Sequence, residues 1–459
     1  MEYNCAEIVL AQKKYFATGR TKNVQYRKML LKKLLKEVQK RENDICDALY
    51  ADFKKPKFEA VMTETGIITS ELRFTIRKLK SWAKAKRVFP SLLNFPSKDR
   101  IHSEPFGTTL IIAPWNYPYQ LALSPLIGAV AAGNTVVLKP SELTPNTATV
   151  LEEIITEVFE KDHVTVVKGG VPVSQKLLAE RWDYIFFTGS VHVGKIVAKA
   201  AAPNLTPVTL ELGGKNPCIV DIHTDFELAA KRIVWGKFLN AGQTCIAPDY
   251  LIVQAQAKFD FTKALIEEIH KTFGENPQES PDFARIVSEK NFDRLASMIK
   301  EDEVLVGGST DKDNLYIAPT VLDEPAFDSE AMKDEIFGPI LPIQVYSSLE
   351  DISNIIERYE KPLALYVFSK DNKFANRMIT SYSFGGGAIN DTIMHFGNHR
   401  LPFGGVGESG MGAYHGKLSF DTFSHKKSVI KKANWLDIPV RYAPYKGKMK
   451  FLNFFLKYF

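Results

Sequence analysis

Thr109-Leu-Ile-Ile-Ala-Pro-Trp-Asn-Tyr-Pro118 and, one helical segment later, Thr135-Val-Val-Leu-Lys-Pro-Ser-Glu142 decide the fold class. Each opens with four apolar or β-branched residues and breaks off in a proline-bearing turn. Val164 to Val167, Tyr184 to Phe187 and Val208 to Leu210 repeat the pattern, with Ala-, Leu- and Glu-rich helical segments between them. Short buried strands alternating with helices predict an α/β fold, a parallel sheet covered on both faces. Ligands of such sheets sit beyond the carboxyl ends of the strands. A second α/β segment runs from Asn216 to about Ala388. Its predicted helices are Phe226 to Phe238 and Phe259 to Thr272, and its strands include Pro217 to Val220, Tyr250 to Val253, Leu341 to Val345 and Leu363 to Val367.

Ahead of these, residues 5 to 87 read as helices. Met29, Leu30, Leu34, Val38, Ile45 and Leu49 recur mostly at three- or four-residue spacing and predict a buried stripe, and Gly19 closes the first helix. The basic run Arg77 to Arg87 reads as a solvated helix face, and no nucleic-acid partner is expected. At 459 residues, two or three domains are expected, and 45% hydrophobic with 24% charged residues is ordinary for a globular protein. A net charge of +6 and four cysteines imply neither a polyanionic partner nor a disulfide framework. No signal pattern and no run of about 20 apolar residues is present, so a reducing cytoplasm is expected.

The chemistry centres on Asn240-Ala-Gly-Gln-Thr-Cys-Ile-Ala-Pro-Asp-Tyr250, a turn-rich break between a helix and a strand. With an ordinary pKa of about 8.5, only ~3% of a thiol is thiolate at neutral pH, so Cys245 needs activation. A lone cysteine is otherwise a small buried hydrophobe. Its company argues for more. Asn116 and Glu211, the latter in Leu210-Glu-Leu-Gly-Gly-Lys-Asn-Pro217, also sit in punctuated turns. A thiol, an amide donor and a carboxylate are the parts acyl chemistry requires. Phe187-Thr-Gly-Ser-Val-His-Val-Gly194 half-matches a triphosphate-binding loop through Lys195, but Ile196 has no hydroxyl for magnesium. A glycine-rich turn that opens a helix still suits a pyrophosphate.

These motifs, with Leu401-Pro-Phe-Gly-Gly-Val-Gly-Glu-Ser-Gly-Met-Gly-Ala-Tyr-His-Gly416, resemble the aldehyde dehydrogenase superfamily, in particular its class 3 branch that includes fatty aldehyde dehydrogenases. The resemblance runs from about Ala11 to about Lys427. It implies a Rossmann-like NAD(P)-binding domain (1–87 and 105–210), a catalytic domain (211–388), and a bridging, dimer-forming element (88–104 and 389–430). It further implies NAD(P)-dependent oxidation of an aldehyde through Cys245, with Glu211 as base for water and Asn116 as oxyanion donor. Lys139 and Glu142 would face the adenosine ribose, and Gly189, Ser190 and Gly194 the pyrophosphate. Glu335 would meet the nicotinamide ribose, with Phe337, Trp115 and Leu212 nearby. Gly213 and Gly214 would let the backbone approach the cofactor and leave the Glu211 carboxylate mobile. Tyr117, Leu121 and Phe403 would line the substrate tunnel, favouring medium or long apolar, polyene or aromatic aldehydes. A thiol acyltransferase or a non-catalytic binding protein of the same fold are the alternatives. Glu211 argues for water as acceptor, since family members that acylate coenzyme A generally lack it.

Two features fall to other readings. His395 and His399 share metal-ligand spacing, but Gly397, Asn398 and Pro402 disfavour a helix there, so no metal is expected. Residues 431–459 form a tail. Lys448-Met-Lys-Phe-Leu-Asn-Phe-Phe-Leu-Lys-Tyr-Phe459 is the most aromatic stretch of the chain and, as a helix of ~18 Å, too short to span a bilayer. It suits an interfacial segment with lysines near anionic headgroups, or a cover over the dimer's tunnel mouth.

Overall fold

The computed structural model describes residues 3–91, 94–300 and 303–457. Its first sheet runs, edge to edge, Gly410–Met411, Val208–Glu211, Tyr184–Thr188, Thr108–Ile112, Thr135–Lys139 and Val164–Val166. All neighbours are parallel except the first pair. Its inner strands Thr108–Ile112, Thr135–Lys139 and Tyr184–Thr188 are buried at every position, which is why they read as continuous apolar runs rather than alternating ones. Helix Gln120–Ala132, buried all round, lies against this sheet and ends at Gly133 with φ +104°. A side chain there would also strike the buried Arg27 guanidinium.

A second sheet has the order Val304–Val306, Thr320–Asp323, Ile340–Tyr346, Tyr250–Gln254, Pro217–Val220, Ala364–Phe368 and Gly386–Ile389. Only its first strand is antiparallel. The predicted helix Phe226–Phe238 is found with those bounds, capped by Asp225, and Phe259 to Thr272 lies within Lys258–Phe273. Cys218 is fully buried in this sheet.

The N-terminal helices Cys5–Ala17, Val24–Lys40, Glu42–Phe53 and Gly66–Trp82 form as expected, with a π-helical turn at Val61–Thr65. Gly19 takes φ +73° and donates to Phe16 O. Met29 departs from the expected stripe. It points to solvent while Leu30, Leu34, Val38, Ile45 and Leu49 enter the core, because Leu30 and Leu31 already fill the inward face. A third, antiparallel sheet joins Lys86–Val88, Ser97–Pro105 and Ser424–Lys432, the last two paired over nine residues.

The two large sheets position the site. The carboxyl ends of the first lead into Trp115 and Asn116, Lys139, Gly189 and Glu211. The amino ends of the second are entered from Cys245, Glu335 and Leu363. A crevice between these edges therefore receives turns from both sheets.

Candidate active site

The nucleophile loop is held in an unusual backbone path. Asn240, Ala241 and Gly242 take φ +57°, +53° and +73° in succession. Only the last is free of steric penalty there, and a Cβ at Gly242 would lie 2.2 Å from Gly338 O. Hydrogen bonds over-determine the turn. Asn240 Nδ2 donates to Asn116 O at 2.9 Å, and Gln243 Nε2 donates to Asn240 O and Arg285 O at 3.0 Å each. After the cysteine, Asn216 Nδ2 donates to Cys245 O at 2.8 Å and Ala247 O at 3.0 Å, while its Oδ1 accepts from Ala364 N. Lys215 Nζ reaches Asp249 Oδ2 at 2.6 Å and the carbonyls of Ala331 and Asp334. Asp249 Oδ1 accepts from Ile336 N at 2.9 Å. One buried lysine thus ties together the turns that carry Glu211, Cys245 and Glu335.

Cys245 and Glu211 share the wall of a cavity of about 230 Å³. The rest of that wall is largely apolar and includes Tyr117, Leu121, Leu212, Trp235 and Phe403. This apolar setting shifts both acids. Burial raises the Cys245 thiol well above its ordinary range, with Glu335 and Glu211 adding to the effect, while the backbone N–H groups of Cys245 and Ile246 pull the other way. Burial alone raises Glu211, whose two carboxylate oxygens have no hydrogen-bond partner.

Asn116 is buried beside this wall but is not among the side chains that line it. Its Nδ2 donates to Gln243 O at 3.0 Å, which uses one of the two amide hydrogens. Tyr117 O–H shares a 2.7 Å hydrogen bond with Thr244 Oγ1, next to the thiol.

A dinucleotide fits the neighbouring turns. Glu335 Oε1 is buried without a partner, and a Cβ on Gly213 would lie 2.1 Å from Glu335 Oε2. The room left by that glycine is therefore taken by a carboxylate. Trp115 and Phe337 meet edge to face at 5.3 Å. Lys139 Nζ bonds Glu142 Oε2 at 2.6 Å, with the lysine buried and the glutamate partly exposed. Ser190 caps helix Val191–Ala201 by accepting from Val193 N, and Gly194 lets that helix rest on Leu212, which a Cβ would strike at 2.7 Å. The first-turn N–H groups and helix dipole favour a phosphate here.

Comparison with known proteins shows the family. The model of the aldehyde dehydrogenase family matches residues 2–429. The chain belongs to the aldehyde dehydrogenase family. As such, it catalyses NAD- or NADP-dependent oxidation of an aldehyde. It is 51% identical over 447 residues to the 4,4'-diaponeurosporen-aldehyde dehydrogenase of Staphylococcus aureus, covering 97% of each chain. It is 44% identical to mouse aldehyde dehydrogenase family 3 member A2, covering 98% of this chain and 93% of that one. These relatives place this aldehyde dehydrogenase in the class 3, fatty aldehyde dehydrogenase-like branch. The substrate-bound structure of Staphylococcus aureus AldH superposes with a TM-score of 0.97 at 49% identity, covering 99% of this chain and 100% of that one.

Sequence reading missed the ionic support behind this cavity. Lys55 and Glu64 are fully buried and paired at 2.7 Å. Glu64 Oε2 accepts from the backbone N–H groups of Tyr119 and Gln120, and Lys55 Nζ sits 4.0 Å from the Tyr117 ring centroid. Removing one partner of such a buried pair typically costs on the order of 3–5 kcal/mol. Charged residues in the N-terminal helical region read as solvated, and nothing local marks Lys55, between two helices, or Glu64 as buried. Near the expected tunnel mouth, Met394–Gly397 forms a 3-10 turn. His395 stacks on Phe403, and His399 bonds Ser70 at 3.1 Å and stacks on Phe74. Among the described residues no cluster of three or more His, Cys, Asp or Glu is placed to hold a metal.

Proposed function

We propose that this enzyme oxidises long, lipophilic aldehydes, fatty or polyene, at Cys245. One observation carries the reading: Cys245 and Glu211 face a single, mostly apolar cavity. Cys245 Sγ gives its proton to solvent water and bonds the aldehyde carbon, whose C=O π pair moves to the oxygen, giving a thiohemiacetal. The second hydrogen of the Asn116 amide and the Cys245 backbone N–H are assigned to the oxyanion. One such donor typically contributes ~3–4 kcal/mol to lowering the barrier. The chemistry that a bound NAD(P) supplies is acceptance of a hydride from that carbon. Lys139, Glu142, Gly189, Ser190, Gly194, Leu212, Glu335, Phe337 and Trp115 are assigned to holding it. Water then adds to the Cys245 thioester while Glu211 takes its proton, the C–S bond breaks, and the acid leaves. Burial makes the ionised Glu211 a stronger base than an exposed glutamate. The test is purified protein with a long aldehyde and NAD, which should give NADH and acid in equal amounts without an added acyl acceptor.

Residues 1–87 and 105–210 are proposed as the cofactor domain and 211–388 as the catalytic domain. The antiparallel sheet formed by Lys86–Val88, Ser97–Pro105 and Ser424–Lys432 supports 88–104 and 389–430 as the bridge of a homodimer. Glu142 supports a preference for NAD, since a carboxylate at the adenosine ribose would repel a 2′-phosphate. Glu142→Gln should raise the NADP to NAD ratio of kcat/KM by roughly fivefold, as expected for one partly exposed charge that also releases Lys139. An unchanged ratio would show that Glu142 points away from the ribose.

The substrate class is supported by the polyene-aldehyde relative and by the tail. Met449–Lys457 is a helix that leaves Phe451, Leu452, Phe454 and Leu456 exposed. Tyr458, Phe459 and the Phe455 side chain lie outside the described residues. Lys448 is not available to headgroups as expected: its amine bonds Pro439 O and Tyr442 O. Lys450 and Lys457 remain. Among the described residues no helix is long and apolar enough to cross a membrane. A cytoplasmic enzyme that touches a membrane peripherally through this helix accounts for both features. Deleting residues 448–459 should abolish sedimentation with anionic vesicles and lower the long-to-short aldehyde preference several-fold. Survival of both properties would leave the tail with neither role.

A further inference from the structure

The catalytic cavity does not end at its apolar wall. It shares Met62, Ile67, Phe396 and Gly397 with a second cavity, which shares Gly66, Ser70 and His399 with a third of about 640 Å³. The first and third have no residue in common, so the three lie end to end along helix Gly66–Trp82. Their chemistry changes along the way. The middle one is mixed, with Glu71, His399 and His415 beside Met62, Ile67 and Phe396 in its wall. The outermost is lined by Arg73, Arg77 and Arg400, with Glu42 as its one acidic residue among those described.

Arg73 and Arg77 stand one helical turn apart, on the same side of the helix. None of the three arginines makes an ion pair among the described residues, whereas Glu42 accepts a hydrogen bond from Thr65 Oγ1 at 3.3 Å. Three exposed guanidinium groups lining one cavity, with Arg77 also 5.7 Å from the Phe74 ring centroid, match a carboxylate better than any apolar group. From Ile67 to Arg77 the helix advances ~15 Å at about 1.5 Å per residue. Only a long substrate spans from Cys245 to this point.

We propose that the outermost cavity binds a carboxylate at the far end of a long aldehyde whose carbonyl lies at Cys245. The ligand class is a lipophilic chain with an aldehyde at one end and an acid at the other. This rests on the long-aldehyde reading above and specifies the other end of that substrate. The reaction that supplies it must be one that oxidises the distal end of a chain to the acid, and the product leaving Cys245 is a dicarboxylate.

The test uses the full-length enzyme without vesicles, which removes anionic lipid as a competing source of negative charge. The kcat/KM of a long-chain aldehyde bearing a terminal carboxylate is divided by that of its methyl ester, in the wild type and in R73Q/R77Q/R400Q. The ratio should fall roughly tenfold in the variant, the scale of several weak exposed charge contacts acting together, and R73K/R77K/R400K should retain most of it. Added salt should lower the wild-type ratio. A ratio that is the same in wild type and glutamine variant overturns the proposal, as does loss of anionic-vesicle binding with the ratio intact. A wild type that oxidises short aldehydes but no long ones would instead overturn the underlying long-aldehyde reading.

Discussion

Cys245→Ala is expected to abolish aldehyde oxidation, by at least roughly a thousandfold, because no other group on the cavity wall can form and release a thioester. Of the other three cysteines, Cys5, Cys46 and Cys218 are all buried. None of them lines the catalytic cavity. The variant should fold, since the loop is fixed by Asn216, Asn240 and Gln243 rather than by the thiol. Binding of NAD, followed by fluorescence or calorimetry, should persist at near wild-type affinity. Turnover above a trace in the pure variant would move the nucleophile elsewhere.

Glu211→Gln separates the two half-reactions. Thioester formation should proceed, while hydrolysis slows by about 10²–10⁴-fold, the usual contribution of a general base. The expected trace is a burst of NADH close to one per active site, followed by a slow steady state. The pH dependence should divide in the same way. Both Cys245 and Glu211 are held above their ordinary pKa, so in the wild type both steps speed up as pH rises and the basic forms accumulate. In the variant the burst should keep its rise with pH, and the steady state should lose the part that belongs to Glu211. A missing burst would mean that Glu211 also deprotonates the thiol. Wild-type steady-state turnover would exclude it as the base.

Much of the architecture was legible because it rests on local pattern. Five of the six strands of the first sheet were marked by β-branched runs followed by a proline or glycine turn, and helix Phe226–Phe238 by its apolar spacing. What escaped was long-range or short. Ser97–Pro105 and Ser424–Lys432 are polar strands more than 300 residues apart, without alternation to announce them. Val304–Val306, Thr310–Asp311 and Tyr316–Ile317 are too short to carry a period. Of the residues singled out for chemistry, Cys245, Glu211, Tyr117, Leu121, Leu212 and Phe403 meet at one cavity. Cys245, Tyr117 and Leu212 stand in turns or irregular segments and Glu211 ends a strand, where a polar or reactive side chain has few structural duties, while Leu121 opens a helix and Phe403 sits in a β-bridge. The supporting groups were not visible. Lys55, Glu64, Lys215 and Asp249 are buried charges whose partners lie 9 and 34 residues away, and only the folded chain shows them paired.

The most direct measurement is the intact mass of Glu211→Gln quenched in acid after a single turnover with a long aldehyde and NAD. The account predicts one adduct per chain, equal to the aldehyde less two hydrogens, on the peptide that contains Cys245. NADH formed without that adduct, or with an adduct on any other residue, would contradict it.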